Sequence, residues 1–326
     1  MFSRIFLAVV LFTLCRTGVA YSAENAALHY FYAFILHRSI PDYVASSSTD
    51  HPELGFSVPL TENQTKFLNR RQTNQARQYF LAATSMDHCD WDRDRMGLSD
   101  TEEMVSLPAH KLARIMLLYA RKEFENENWR NGIDYTIRVM KMARHVAAQI
   151  RLGENWCYMI ENMARGTLCA YLTCMPQQER DFAAARVKEL PAFSPISAAF
   201  LREEKRHLAL SSAIRSGQLA EHELAERLAV LLRSRRTSQV TADFSDDRLA
   251  ELLEEMAVIC KRVAALMGQP VDEFQQAFDM ELHDKIKNNP LAMLGLGTVI
   301  DLRREDAQAD CRNKMFFAAL AVLKSG

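Results

Sequence analysis

Glycine and proline are scarce in this chain, 11 and 9 among 326 residues. That excludes a collagen-like or low-complexity polymer and leaves few places where a helix is forced to stop. Neither sign of charge prevails: 40 Lys and Arg face 41 Asp and Glu, a formal net charge of −1. A near-neutral protein has no global pull toward nucleic acid or anionic lipid, so no nucleic-acid partner is expected. No apolar run reaches the roughly 20 residues of a bilayer span, so no transmembrane segment is expected in the mature chain. Several chemical signatures are missing as well: C-x-x-C, G-x-S-x-G and H-E-x-x-H do not occur. Gly295, Leu296 and Gly297 are followed by Ile300 where a dinucleotide loop needs its third glycine. The sequence therefore calls for no cofactor and offers no recognisable catalytic motif.

The first residues read differently from the rest. Arg4 is followed by an unbroken apolar run over residues 5–15, the size of a signal-peptide core. Small residues come next, and cleavage after Ala20 or after Ser22 would leave small side chains at the two positions that signal peptidase inspects. Residues 1–22 are thus expected to be removed, and residues 23–326 to form an exported helical protein, periplasmic or secreted. The alternatives are a buried N-terminal helix, or a lipoprotein signal ending at Cys15, which wants a small residue where Leu14 stands. Losing Arg4 and Arg16 makes the charge two units more negative. Losing Cys15 leaves Cys89, Cys157, Cys169, Cys174, Cys260 and Cys311. An even count permits disulfides outside the cytoplasm, but six in a chain this long are too sparse to build the fold, and half or more are expected as buried thiols.

Helical periodicity dominates the remainder of the chain. Helices are expected over residues 24–38, 61–86, 107–127, 129–151, 154–172, 177–190, 196–215, 221–236, 245–267, 271–287 and 304–324. Residues 42–59 and 87–106 read as irregular. Ala113, Met116, Leu117, Ala120 and Phe124 form one stripe; Trp129, Ile133, Ile137, Met140 and Ala147 form another. A turn at Glu127 and Asn128 joins them into a helical hairpin. The helix over 154–172 is apolar nearly all round, which argues for a central, buried position. Ser194 is a plausible N-cap for the helix beyond it, and a division of the chain is expected near Pro191. The fold class is all-α, an array of about ten antiparallel helices.

The hairpin resembles a degenerate tetratricopeptide-like unit. Asn128 and Trp129 fall where that family places its turn aromatic, and Ala120 and Gly132 where its helices approach closely. Glu123 departs from the pattern, which has an aromatic there, and no proline closes the unit. More broadly, the stretch after the signal, the Cys89 to Asp92 run, residues 107–129 and residues 288–297 are similar to a group of exported all-helical bacterial proteins that has no assigned activity.

Three polar clusters remain. His88, Asp90, Asp92 and Asp94 alternate like the opening of a calcium loop, but Arg95 stands where such a loop needs glycine and Thr101 where it needs glutamate. The competing reading is an ordered loop that packs Trp91 on the helical body. Glu161 is the best lone candidate for acid–base work because it lies on the most apolar helix, and a simple pair with Arg165 one turn later explains both residues. Glu203 to His207 reads as a solvated helix face. The leading expectation is a protein- or peptide-interaction or scaffold module, whose partner is another protein or peptide. The alternative is an extracytoplasmic enzyme whose site is assembled from distant residues.

Overall fold

The computed structural model describes residues 25–37, 59–91, 101–147, 156–193, 195–219, 223–224, 227–228, 244–296 and 299–325. Every regular element among them is a helix: α1 (Ala26–Leu36), α2 (Glu62–Leu68), α3 (Arg71–Ser85), α4 (Thr101–Glu125), α5 (Trp129–Ala147), α6 (Trp156–Tyr171), α7 (Gln177–Lys188), α8 (Ile196–Arg215), α9 (Asp246–Leu266), α10 (Val271–Glu281), α11 (His283–Asn288), α12 (Pro290–Gly295) and α13 (Val299–Ser325). The all-α class is as the periodicity requires. No described helix is long and apolar enough to cross a membrane. Residues 1–22, read from the sequence as a signal, lie outside the described residues, Ala20 and Ser22 among them.

Buried apolar side chains gather in two clusters. The first joins α1 to α7 through Tyr30, Phe80, Trp91, Met116, Phe124, Ile133 and Leu168. The second is built on α9, whose Leu252, Met256, Ile259 and Val263 face α8, α10, α11 and α12. The chain passes from the first to the second between Val187 and Phe200, and Ile196 packs against both. The closing helix α13 belongs to each in turn. Val299 at its start is buried in the second cluster and Ile300 packs against it, whereas Phe316 and Leu320 are buried in the first.

The hairpin of α4 and α5 shows how local sequence produces this packing. Its five-residue stripe on α4 is buried throughout. Glu127 takes a left-handed backbone at φ 58°, and the Asn128 N–H donates to the Glu123 carbonyl at 2.8 Å, so the chain reverses within three residues. Glu123, the departure from the repeat pattern, accepts from the side chain of Asn128 at 3.0 Å and of Asn131 at 3.4 Å. Gly132 lets the helices close. A Cβ there would fall inside contact distance of the Phe124 ring edge and 2.8 Å from its Cγ. That ring is stacked on Tyr171 at 4.6 Å and cannot retreat. Gly132→Ala is expected to destabilise the protein by about 1–3 kcal/mol, measured by urea unfolding.

Several boundaries differ from the periodicity. The single helix expected over 61–86 is two. At about 100° per residue, Phe67 and Phe80 would stand roughly 140° apart on one straight helix. A break at Asn69 and extended Arg70 turns both toward the core. Helix α4 begins at Thr101, within the stretch read as irregular, and carries Pro108 inside it. A proline removes one backbone donor; here Val105 and Ala109, both buried, hold the two sides of the interruption in the core. Residues 271–288 kink at Leu282 into α10 and α11. The N-cap of α8 is Pro195 without a side-chain bond, and Ser194 is outside the described residues. Asn289, 1% exposed, caps α12; Asn before Pro at a helix start is a capping signal that the apolar pattern around it obscures. Its side chain accepts from Leu291 N and Ala292 N and donates to the Leu252 carbonyl at 2.8 Å, locking α12 onto α9.

Candidate functional site

Helix α6 is less central than its composition implies: Met159 is 39% exposed, and the buried face carries charge. Glu161 and Arg165, both 6% exposed, are paired one turn apart at 2.7 Å, as the spacing suggests. Arg144 of α5 is the third member, reaching the same carboxylate with Nη2 at 3.1 Å and Nε at 3.3 Å. No local pattern links residues 144 and 161, so nothing in the sequence warns of it.

Around this core the network spreads outward. Arg144 donates to the Pro191 carbonyl and lies over the Phe193 ring at 5.4 Å. Phe193 is stacked on Tyr158 at 5.2 Å, so the connection between the two clusters is gripped on both faces. Arg165 also donates to Asn313 Oδ1 at 3.0 Å and lies over Phe316 at 5.7 Å, which seats α13. The Tyr158 hydroxyl donates to Asp306 at 3.0 Å, and burial and the Asp306 carboxylate hold that phenol far above its usual range. Asp306 in turn pairs with Arg303, which donates to the Gln269 carbonyl at 2.7 Å beyond the end of α9. A continuous polar chain therefore runs from α5 and α6 through α13 to the second cluster. Each Glu161 oxygen already accepts a charged hydrogen bond, a geometry that fastens helices rather than one that passes protons to a substrate.

The segment before α4 holds two of the four proposed metal ligands; Asp92 and Asp94 lie outside the described residues. His88 is exposed, and its carbonyl accepts from Ala26 N at 3.1 Å. Asp90 uses its backbone: its N–H donates to Asn25 Oδ1 at 3.0 Å and its carbonyl accepts from Asn25 Nδ2 at 2.7 Å. Trp91 is fully buried, and its Nε1 donates to the His145 carbonyl at 3.1 Å. Among the described residues no group of three or more His, Cys, Asp or Glu is arranged to hold a metal ion.

The stretch read as a solvated face needs correction. Glu203 and His207 are 5% and 1% exposed, because they continue the buried stripe of Phe200, Leu210 and Ile214 on α8. That register is visible in the sequence; the run of charges masks it. Glu203 pairs with Arg206 at 2.7 Å, and His207 Nδ1 is 4.0 Å from Cys260 Sγ. Burial raises the Cys260 thiol far above its ordinary range, which makes it an inert core residue rather than a nucleophile. Of the six cysteines only Cys157 and Cys260 are buried, fewer than expected; Cys169, Cys174 and Cys311 are exposed. No known protein family, curated protein or solved structure matches this chain.

Proposed function

We propose that the protein is an exported interaction or scaffold module that binds another protein through its helical surface. One observation carries the reading. On α13 the side chains of Cys311, Met315, Ala318 and Val322 are exposed at successive helical turns, while Phe316 and Leu320 on the opposite face are buried. Met315 and Val322 are 64% and 69% exposed. A stripe at this spacing is what a second helix or an amphipathic peptide packs against, and methionine adapts to varied partners. The α4–α5 hairpin supports the same class, since stacked helical pairs commonly present binding surfaces. Export rests on the apolar run and small residues before Asn25, directly ahead of a helix whose Ala26, Ala27 and Tyr30 are buried in the first cluster.

The test is crosslinking in living cells with a C-terminal tag, followed by fractionation. One partner is expected in near-stoichiometric amount from an extracytoplasmic fraction. It is expected to be lost when Met315 and Val322 are both replaced by Asp. Recovery of the protein alone, or capture unchanged in that variant, would sink the surface; recovery from the cytosol with Met1 intact would sink the export. Turnover of a peptidoglycan, glycan or ester substrate that one carboxylate substitution abolishes would favour an enzyme instead.

A further inference from the structure

The Trp91 segment and the N-terminal helix meet at one histidine. Trp91 lies against three aromatic rings of α1, with Tyr30 at 5.7 Å, Phe31 at 5.4 Å and Phe34 at 6.1 Å. Its indole N–H is held by the His145 carbonyl, and the His145 ring itself bonds the Tyr30 hydroxyl through Nδ1 at 3.1 Å. His145 is 6% exposed, and its second nitrogen, Nε2, is buried without a hydrogen-bond partner among the described residues. In the neutral ring whose Nδ1–H donates to the Tyr30 hydroxyl, Nε2 is left as a bare nitrogen with no proton to satisfy. A second proton would add a charge, and an N–H with no acceptor, to an aromatic pocket.

We propose that residues 87–91 form an acid-sensitive latch, closed on α1 and α5 while His145 is neutral and released when it takes a proton. The surrounding groups favour this direction. On α5 itself, Lys141 opposes a charge on His145; on the segment, His88 opposes it and Asp87 favours it. Asp87 is held 2.8 Å from Lys141, and that ammonium keeps its carboxyl below the ordinary range, so acid does not break this pair first. On α1 the facing group is Tyr30, whose hydroxyl burial keeps protonated, with Cys89 acting in the same sense and Arg138 against it. Burial is the largest cause that lowers His145, from 6.5 to about 4. Between those values His145 binds a proton when the segment is released that it does not bind when the segment is docked. Docking is therefore at full strength above pH 6.5, weakens as the pH falls toward 4, and changes no further below it. Across that interval the open-to-closed ratio rises by up to roughly two orders of magnitude. An exported protein meets such changes of pH unbuffered by the cytoplasm.

Cys89 reports the latch, because it is half-buried in the closed segment and burial raises its thiol far above its usual range. The experiment is pulsed labelling with 4,4′-dithiodipyridine, which reacts with thiols in acid, between pH 7 and 4, with each site read by peptide mapping. Labelling of Cys89 is expected to rise at least tenfold, while Cys157 and Cys260, only 4% and 0% exposed, stay protected. In His145→Gln the Cys89 response is expected to flatten. His37 is also lowered to about 4 by burial, at the far end of α1 against Phe67, and it remains in that variant as a control. Cys89 protected throughout, or all three thiols opening together in the wild-type protein, would overturn the latch. So would an unchanged response in His145→Gln.

Discussion

Replacing Glu161 by Ala is expected to lower the unfolding free energy by about 3–5 kcal/mol. The change leaves Arg165 buried and Arg144 partly buried with no carboxylate between them, and desolvated guanidinium groups without a counter-charge are among the costliest defects a core can hold. The loss should not stay local. Arg144 also carries the Pro191 and Phe193 connection, and Arg165 also carries Asn313 of α13. Urea unfolding followed by far-ultraviolet circular dichroism measures the loss. A double substitution, Glu161→Met with Arg165→Met, removes the more buried of the two orphaned guanidinium groups, leaves only Arg144 unpaired by Glu161, and is expected to cost less than the single one. A single substitution costing under about 1 kcal/mol would mean that the pairing contributes no more than an exposed ion pair.

The second large effect is at Trp91. Trp91→Ala is expected to destabilise by about 3–5 kcal/mol, the range for emptying a large aromatic site in a core. Trp91→Phe keeps part of the ring packing against Tyr30, Phe31 and Phe34 but loses the N–H bond to His145, and its loss should be clearly smaller. Asp90→Ala is expected to change stability little, because Asp90 holds Asn25 through its main chain. This contrast separates a packing role for the segment from metal binding. A metal loop would lose calcium- or zinc-induced stabilisation in Asp90→Ala while tolerating Trp91→Phe.

How far an interaction reaches along the chain decides whether the sequence makes it legible. The α4–α5 hairpin can be read because all its causes are local: two apolar stripes, a turn residue in the left-handed region, and Gly132 opposite Phe124. The Glu161–Arg165 pair is legible for the same reason, being one helical turn. Arg144 is not, because its meeting with Glu161 depends on how α5 packs on α6. Long apolar patterns also conceal their breaks. Phe67 and Phe80 belong to the same core only if the helix between them is interrupted, and no glycine or proline marks that place. At Glu203 and His207 the apolar period is present, but a run of six charged or titratable residues, Arg202 to His207, outweighs it. In the Asp87 to Asp94 run, side-chain identity suggests a metal, whereas the described part of the segment is held by backbone groups and one indole, which any neighbouring side chains would permit.

The reach of α13 has a consequence for the order in which the molecule is assembled. Its bonds Tyr158–Asp306 and Arg165–Asn313 each join residues 148 apart, and Phe316 and Leu320 complete a cluster begun at Ala26. During synthesis the earlier helices emerge long before the segment that finishes their core, while the second cluster, contained between Phe200 and Val299, has all its parts sooner. The later-made half can therefore close first, inside the loop that the earlier half is still waiting to shut. Contacts so distant along the chain slow folding. Until the last helix arrives, the first core lacks Phe316 and Leu320, and the face of α6 that carries Tyr158 and Arg165 waits for its partners.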